Sequence, residues 1–375
     1  MKIGIDTFAC EGGKTAIGVY VTQVLKRIPP SGDLFELFGW DFDRFAYSEA
    51  APDLEFVPRC SITGKTANAL WHLIKYPQFA RERAYDACFF PAAHKQLPYR
   101  SPCPVIGVVH DMSWVTKKIG KPLRMLNYLA LTYSLRKLDR VIAVSHWIKQ
   151  ELIEFAGVKE SLIEVVPNGI DHTAFYPRPR NEESVVLIQP FSFRRPYVLC
   201  ISRIDHPVKN HVRLIKAFGI FKEQTKYPHR LVLAGADDHQ AEKVKEAAAG
   251  SPYRNDIFFT GHFPVKNLPE LYAGADMVVI PSLYEGFGMG ALEAMASGVP
   301  VACARAASLP ETADTGALYF DPYNPEDMAA RMITLSTNRE IYRECRRLGL
   351  ERAGAFSWEK CAQQTLAVIH ETTGG

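Results

Sequence analysis

The sequence predicts an α/β protein with two doubly wound domains, each a parallel sheet covered by helices, facing each other across a cleft. Three observations predict this fold class. Short apolar runs rich in valine and isoleucine alternate with helix-length segments, which is typical of parallel strands buried on both faces. An irregular stretch divides these runs into two series. A chain of 375 residues also exceeds one ordinary domain and favours two.

The first series of predicted strands begins with KIGID at the amino terminus. Glycine, proline or polar residues bound each run, and segments with a helical pattern separate the runs from one another. The predicted strands of this series are residues 2–6, 86–90, 105–110, 140–145 and 163–169.

Residues 177–196 contain four prolines and many charges, which indicates a linker or an excursion at a domain boundary. We therefore expect domains over 1–180 and 190–355 and a separate terminal segment over 356–375. Ligands of such sheets bind at the carboxyl ends of the strands. The second series of predicted strands is 197–202, 230–235, 257–261, 277–282, 299–304 and 317–321.

Composition limits the class of protein. The net charge of +3 gives no reason to expect a nucleic-acid partner. The eight cysteines show neither paired nor zinc-like spacing, so we expect reduced, structural thiols and a cytoplasmic location. The sequence has no signal peptide pattern and no apolar run long enough to span a membrane.

The stretch EGGKT at residues 11–15 matches half of a phosphate-binding loop. The full pattern requires a glycine where Phe8 stands, so the sequence does not predict a nucleoside triphosphatase. A strand, a glycine-rich turn and a helix from about Ile17 are still expected. The first N–H groups of such a helix favour an anion.

A second glycine-rich loop precedes a helix in PSLYEGFGMGALEAMASGVPV, residues 281–301. Glu285 lies in the loop and Glu293 about one turn inside the helix expected from Met289. With a rise of ~1.5 Å per residue, the two carboxylates could lie roughly 10 Å apart along one ligand. The alternative is that Glu293 only favours the helix dipole and Glu285 is solvated. Three glycines would let the backbone approach a ligand: Gly286, Gly288 and Gly290.

The block YEGFGMGALEAMASGVPV resembles the E-x7-E block of family 4 retaining glycosyltransferases, and the resemblance extends over nearly the whole chain. The nearest subgroup is the bacterial mannosyltransferases of surface polysaccharide synthesis. The resemblance implies a GT-B fold, with two Rossmann-like domains and the nucleotide sugar held mainly by the second. Other segments with family counterparts are 165–171, 202–210, 308–311 and 356–362.

The resemblance also implies roles for individual residues. Glu285 would contact the donor sugar, Glu293 the ribose hydroxyls, and Arg203 with Lys209 the diphosphate. The alternative for the two cations is a solvated loop. Backbone groups near the sugar and phosphates would come from Gly286, Phe287, Gly288 and Met289.

Three further parts of the sequence, all in the first half of the chain, contain candidate site residues. His110 matches a family histidine that meets the donor sugar, and Asp111 would orient the imidazole or cap the following segment. In the first loop, Ala16 and Ile17 are expected to offer backbone to the donor. Thr15 and Ala16 stand where the family has a glycine pair. The tripeptide DFD at 41–43 matches a metal-binding pattern of another glycosyltransferase fold, but three letters are weak evidence.

The implied reaction transfers a sugar, best assigned as mannose from GDP-mannose, to a hydroxyl of a saccharide or lipid-linked saccharide. Retention at the anomeric carbon by a front-face path is expected, with no metal and no other cofactor. The alternatives are a UDP-sugar transferase for glucose, galactose or N-acetylhexosamine, and a non-catalytic sugar-binding protein.

Two more expectations concern the chain's organisation and location. An apolar stripe in the last helix, from about Ser357, predicts that this helix packs on the first domain, as the family's chain does. Basic residues between 117 and 140, interleaved with Leu and Tyr, are compatible with peripheral contact to an anionic membrane face or with a solvated helix face. They are Lys117, Lys118, Lys121, Arg124, Arg136, Lys137 and Arg140.

Overall fold

The computed structural model describes residues 1–10, 15–47, 55–60, 65–113, 122–179, 185–188 and 191–374. The chain divides into two compact units. The first comprises Met1–Gly169 with Trp358–Gly375, and the second comprises Ile170–Ser357. The first unit thus ends at Gly169, where the sequence had suggested 180, and the terminal segment belongs to the first unit.

The first unit is built on a sheet of seven parallel strands in the order β3-β2-β1-β4-β5-β6-β7. Its five predicted strands are present within a few residues of their expected bounds, but β2 and β3 were not predicted. In β2 the charged Glu36 interrupts the apolar run; it is buried and paired with Lys2 Nζ at 3.1 Å and with Arg83. The strands are β1 (Lys2–Asp6), β2 (Leu34–Trp40), β3 (Glu55–Cys60), β4 (Ala87–Phe90), β5 (Val105–Val109), β6 (Arg140–Ala143) and β7 (Ile163–Val165).

Helices lie between most of these strands, because parallel neighbours need a crossover connection. One turn of π-helix, Trp71–Lys75, separates α3 from α4. The helices that precede the second unit are α1 (Ala16–Arg27), α2 (Asp43–Tyr47), α3 (Lys65–Leu70), α4 (Tyr76–Glu82), α5 (Pro122–Leu135) and α6 (His146–Glu154).

The second unit has a six-stranded parallel sheet in the order β12-β11-β10-β13-β14-β15, plus an antiparallel pair, β8-β9. The stretch expected to be a linker therefore contains a hairpin, β8 (Val185–Ile188) and β9 (Phe191–Arg194), because its short β-branched and aromatic runs can pair locally. The sheet strands are β10 (Tyr197–Ile201), β11 (Arg230–Ala234), β12 (Ile257–Phe259), β13 (Met277–Ile280), β14 (Val301–Ala304) and β15 (Ala317–Phe320).

Helices also link the strands of the second unit. The expected helix start at Met289 coincides with the first residue of α10. The helices are α7 (His211–Thr225), α8 (Ala241–Ala249), α9 (Leu268–Gly274), α10 (Met289–Ala296), α11 (Leu309–Ala313), α12 (Pro325–Thr337) and α13 (Arg339–Gly354).

The last helix, α14 (Trp358–Thr373), packs on α1 in the first unit. Tyr20 and Thr365 join their hydroxyl groups at 3.2 Å in the interior, and His370 Nε2 lies 2.7 Å from an Asp33 carboxylate oxygen. The apolar stripe anticipated from the sequence is buried: Trp358, Cys361, Leu366 and Ile369. Within the described ranges, no helix has both the length and the apolar character needed to cross a bilayer.

Candidate functional site

The carboxyl edge of the second sheet brings a cation and a carboxylate together. Lys209 follows β10 and Glu285 follows β13, the two neighbouring strands between which the strand order reverses. Their side chains form an ion pair, with Lys209 Nζ at 2.6 Å from Glu285 Oε1 and exposed fractions of 16% and 21%. Ligands of open α/β sheets bind at this switch point. Two residues that are far apart in sequence thus meet where a ligand is expected.

Asn210 fixes the corner that carries Lys209. Its backbone is left-handed, with φ of 58°, a conformation that asparagine tolerates better than most residues. Its side-chain amide donates to the carbonyls of Pro281 at 3.0 Å and Pro322 at 2.7 Å. The sequence motifs had assigned no role to Asn210. The signal was its place at a predicted loop-to-helix corner, where Asn is a favoured residue.

Two side chains, one at the N-cap of α11 and one within this helix, bind the backbone of the glycine-rich loop. Ser308 Oγ donates to the carbonyl of Glu285 at 2.7 Å, and Thr312 Oγ1 donates to the carbonyl of Phe287. Gly288 has φ of 95°, and a Cβ there would lie 3.0 Å from a Leu309 methyl group. The carbonyls of Glu285 and Phe287 are therefore turned toward α11. Four backbone positions in this loop were predicted to meet the donor. Among them, Phe287 has a buried side chain and Met289 is the first residue of α10.

The start of α10 is suited to an anion. The N-cap position is Gly288, which has no side chain to cap the helix, and the first turn contains no acidic residue. The first backbone N–H groups of a helix have no intrahelical acceptor, and the helix dipole favours negative charge there. A diphosphate is one group that would satisfy both properties.

Glu293 lies one turn inside α10 and is half-buried. Its Oε2 atom accepts a hydrogen bond of 2.8 Å from the Tyr272 hydroxyl. Burial raises the pKa of Glu293 to about 7, against the opposing effect of the Tyr272 hydrogen bond. The carboxyl group is therefore partly protonated at neutral pH. Nothing in the sequence pattern had indicated Tyr272 as the partner of Glu293.

Arg203 is placed differently from Lys209. It follows β10 in the same loop, but its guanidinium pairs with Asp238 at 2.6 Å and its side chain is 68% exposed. The sequence had assigned the two cations to one diphosphate. The structure gives them separate partners, one partly buried and one at the surface.

In the first unit, His110 lies at the end of β5. Its Nε2 donates to the carbonyl of Pro91 at 3.0 Å, and its ring contacts the Tyr20 ring edge to face at 4.8 Å. Burial, together with His94, lowers the pKa of His110 to about 3. The imidazole is neutral at physiological pH, so Nδ1 is left as an acceptor. Asp111 accepts a hydrogen bond from the backbone N–H of Ser113, so its carboxylate caps the following turn.

In the first loop the structure describes the predicted positions from Thr15 onward, whereas residues 11–14 lie outside the described residues. Ala16 is the exposed first residue of α1, and Ile17 is buried behind it. Thr15 is the N-cap and accepts a hydrogen bond of 3.4 Å from Gly18 N. Ala16 is not among the residues with positive φ, so its helical backbone needs no glycine there.

The tripeptide at 41–43 has a structural use. Asp43 is fully buried and accepts hydrogen bonds from Thr7 Oγ1 at 3.0 Å and from Trp40 N at 3.1 Å. These bonds attach the start of α2 to β1 and β2. Across the described ranges, no three histidine, cysteine or acidic side chains are grouped in a way that could hold a metal ion.

The basic run anticipated as a membrane contact is only partly described. Lys117, Lys118 and Lys121 lie outside the described residues, as does the side chain of Arg124. Two of the others have local contacts. Arg136 donates to the carbonyl of Ala156 at 2.5 Å, and Lys137 Nζ lies 4.2 Å from the centre of the Tyr133 ring.

Two family models match the chain. Residues 17–174 match Glycosyltransferase Family 4, and residues 188–352 match Glycosyl transferases group 1. The chain is 29% identical to the O-antigen chain mannosyltransferase B of Escherichia coli, with 98% of both chains covered. It is also 30% identical to the mannosylfructose-phosphate synthase of Agrobacterium fabrum, over 64% of this chain and 54% of that protein.

Solved structures share the fold. Sucrose-phosphate synthase from Thermosynechococcus elongatus superposes with a TM-score of 0.75 at 18% identity, covering 99% of this chain and 98% of that one. HepE of Anabaena in complex with UDP-glucose superposes with a TM-score of 0.76 at 19% identity, covering 99% and 100%. At these identities the likeness shows the two-domain architecture and nothing about substrate.

Proposed function

Since the chain belongs to the family 4 glycosyltransferases and has the GT-B fold, we propose that it transfers mannose from GDP-mannose. The acceptor is a hydroxyl of a saccharide or lipid-linked saccharide in the synthesis of a surface polysaccharide. Similarity to an O-antigen mannosyltransferase over 98% of both chains supports the choice of sugar and pathway.

One geometric observation carries the proposal for the donor site. The 2.6 Å pair of Lys209 and Glu285 lies at the switch point of the second sheet, and Glu285 belongs to the loop that leads to the uncapped start of α10. A nucleotide sugar has a dianionic diphosphate next to a polyhydroxylated ring. A cation, a helix start and a carboxylate acceptor match these two parts in chemistry.

Within this proposal, each residue has one role. Lys209 and Arg203 bind the diphosphate, Glu285 accepts from hydroxyls of the sugar, and Glu293 accepts from the ribose. The amides of Gly286 to Met289 approach the sugar and phosphates. In the first unit, Ala16 and Ile17 offer backbone to the donor, and His110 Nδ1 accepts from a sugar hydroxyl.

The chemical step proceeds with retention by a front-face path. The bond between the anomeric carbon and the diphosphate oxygen breaks, the acceptor oxygen bonds to the same face, and its proton passes to the leaving phosphate. Charge grows on the diphosphate as the bond breaks, so Lys209, Arg203 and helix N–H groups stabilise the transition state electrostatically. No metal ion takes part in this scheme.

The second candidate donor is a UDP-linked hexose. It is favoured by one observation, that HepE, which shares the fold, has been solved with UDP-glucose bound. A non-catalytic sugar-binding protein is the third possibility left by the sequence, and the presence of both a cation pair and the acidic pair argues against it.

The decisive experiment compares nucleotides and then follows transfer. Thermal unfolding is measured with GDP, UDP and ADP, since a ligand at 100 times its Kd stabilises a fold by about 2.7 kcal/mol. Stabilisation by GDP, followed by an α-mannoside product seen by NMR with GDP-mannose, supports the proposal. Stabilisation by UDP alone selects the second candidate, and a β-linked product excludes retention.

Peripheral contact with an anionic membrane face belongs to the same proposal, because lipid-linked acceptors lie there. Basic residues near such a surface contribute about 1 kcal/mol each. Flotation with anionic liposomes at low salt tests it. Recovery of the protein in the floating fraction, and its loss at high salt, is the expected result; protein left entirely at the bottom contradicts contact.

A further inference from the structure

The partner of the half-buried Glu293 is a buried side chain that comes from a different helix. Tyr272 lies in α9, is 1% exposed, and reaches α10 with its hydroxyl, which donates to Glu293 Oε2 at 2.8 Å. Its ring also contacts the Phe175 ring edge to face at 5.9 Å. The ring is thus fixed by packing, and the hydroxyl position follows from the ring.

Gly290 provides the space for this hydroxyl. It occupies the first turn of α10, three residues before Glu293, and a Cβ there would lie 3.2 Å from the Tyr272 oxygen. Glycine inside a helix is less favourable than alanine by roughly a factor of five in equilibrium constant. The sequence had explained Gly290 by approach of the backbone to a ligand. The structure gives another reason, since an alanine side chain would crowd the Tyr272 hydroxyl.

We propose that Tyr272 is a positioning residue for Glu293: its hydroxyl fixes one carboxylate oxygen and favours the ionised form, which leaves the second oxygen to accept from the ribose of the donor. The inference rests on the proposed function, because it takes Glu293 as the ribose acceptor. Among the described residues, Oε1 of Glu293 has no donor of its own. An ionised carboxylate accepts from both ribose hydroxyls, whereas a protonated one loses acceptor capacity.

The surroundings of Glu293 determine the direction of its pH dependence. Burial raises its pKa to about 7, and the Tyr272 hydrogen bond opposes this rise. The groups facing this region are neutral Tyr272 on α9, the thiol of Cys200 on β10, and Glu285, which is paired with Lys209. On α13, Arg346 lies beside Gly298 at the far end of α10. Nucleotide binding should therefore strengthen as the pH rises through about 7.

The raised pKa of Glu293 also makes the stability of the fold depend on pH. The pKa of Glu293 in the folded chain lies above its ordinary value of 4.5. Its contribution to stability is therefore present below pH 4.5 and is lost as the pH rises toward 7. A bound ribose that prefers the ionised form offsets this loss, so stabilisation by nucleotide should grow over the same pH range.

The test compares three proteins by calorimetric titration with GDP and with UDP between pH 5.5 and 9. They are the wild type, Tyr272→Phe, and a matched control, Tyr197→Phe. Tyr197 is equally buried and donates to the carbonyl of Leu271 at 2.7 Å, so its variant also loses one internal hydrogen bond. The diphosphate's own titration is common to all three proteins and cancels in the comparison.

We expect Tyr272→Phe to move the binding midpoint to higher pH by ~1 unit or more, because hydrogen bonds to charged groups have about this effect on a pKa. At pH 7 the variant should bind roughly fivefold more weakly for a shift of ~1 unit from the wild-type pKa of about 7, with a smaller difference at pH 9. Tyr197→Phe should keep the wild-type midpoint. An unchanged midpoint in Tyr272→Phe overturns the inference.

Two further outcomes have to be distinguished from a failure of the inference: failure of the proposed function and failure of the variant to fold. If the wild type binds neither GDP nor UDP, the proposed function fails, whatever the variants do. If Tyr272→Phe does not fold, Gly290→Ala replaces it: helix propensity alone would raise the melting temperature, whereas crowding of the Tyr272 hydroxyl should weaken binding at pH 7 and raise the midpoint. A Gly290→Ala protein with wild-type binding and midpoint contradicts the role of Tyr272.

Discussion

The sheets of the two units share the order of six strands, to which the first unit adds β7, and they differ in the electrostatics of their carboxyl edges. In both sheets the order reverses beside the strand that comes first in the chain, at β1 and β4 in one sheet and at β10 and β13 in the other. At this edge the second unit has the Lys209–Glu285 ion pair. In the first unit, His94 is buried and His110 is half-buried, and desolvation lowers the pKa of each to about 3, so both imidazoles are neutral.

The same arrangement of strands thus presents charged side chains at one edge and neutral imidazoles at the other. A charged pair near a helix start suits a diphosphate, whose charge changes during the reaction. Neutral imidazole beside an aromatic ring suits hydroxyl groups, because it accepts a hydrogen bond without adding charge. Variants of the second unit should therefore have larger effects on rate than variants of the first.

The largest expected effect is on Lys209. A hydrogen bond to a charged group contributes ~1.5–3 kcal/mol, so its loss in the transition state should lower kcat roughly 10–150-fold in Lys209→Ala. Arg203→Ala should fall in or beyond this range, and Arg203→Lys should recover only part of the rate because the planar fork is lost. Initial rates at saturating donor measure this effect.

Lys245→Ala is the matched control for these variants. Lys245 also belongs to the second unit and pairs with Asp237 at 2.5 Å on the surface, so its loss should leave kcat unchanged. If a folded Lys209→Ala protein transfers sugar at the wild-type rate, Lys209 does not bind the diphosphate and the roles given to residues 202–210 are wrong.

Gly288→Ala tests whether the glycine-rich loop depends on its backbone. A non-glycine residue in left-handed conformation costs ~1–2 kcal/mol, and contact with Leu309 at 3.0 Å adds to this. The melting temperature should fall by roughly 2–8 °C. In Gly219→Ala, within α7, the new methyl group meets nothing within 4 Å, so this control should be neutral or more stable. Equal melting temperatures for both variants would contradict the assignment.

A smaller effect is expected for His110. His110→Phe keeps a ring against Tyr20 but removes the nitrogens, and the loss of a neutral hydrogen bond should lower kcat/KM roughly 2–12-fold. Because burial lowers the pKa of His110 to about 3, the imidazole does not titrate between pH 5 and 9. The pH–rate profile of His110→Phe should therefore keep the wild-type midpoint; a shifted midpoint would show that His110 changes charge during turnover.

The smallest expected effect is that of metal removal, which should leave the rate unchanged. In the proposed reaction, the cations of the second unit would supply the charge stabilisation that a divalent ion supplies in metal-dependent enzymes. Activity is measured in EDTA and after adding manganese. Loss of transfer in EDTA with recovery in manganese would contradict this prediction and reopen the metal-binding interpretation of residues 41–43.

Much of the fold could be predicted because strand patterns are local. Val-rich and Ile-rich runs between glycines and prolines marked eleven strands, and all eleven are present. The unpredicted β2 and β3 have charged or proline residues inside them. Their assignment depends on Lys2 and Arg83, which neutralise Glu36 from other parts of the chain.

The sequence by itself determined the α/β class, the two series of strands and the positions of Lys209, Glu285 and Glu293 on loops and a helix start. These features can be predicted because the backbone preferences of residues and the spacing of apolar side chains depend on only a few neighbouring residues. Only the tertiary structure decided that Lys209 pairs with Glu285, that Asn210 fixes their corner, and that Tyr272 reaches Glu293 over Gly290. These contacts join residues from separate βα units, and their geometry follows from packing of the sheet.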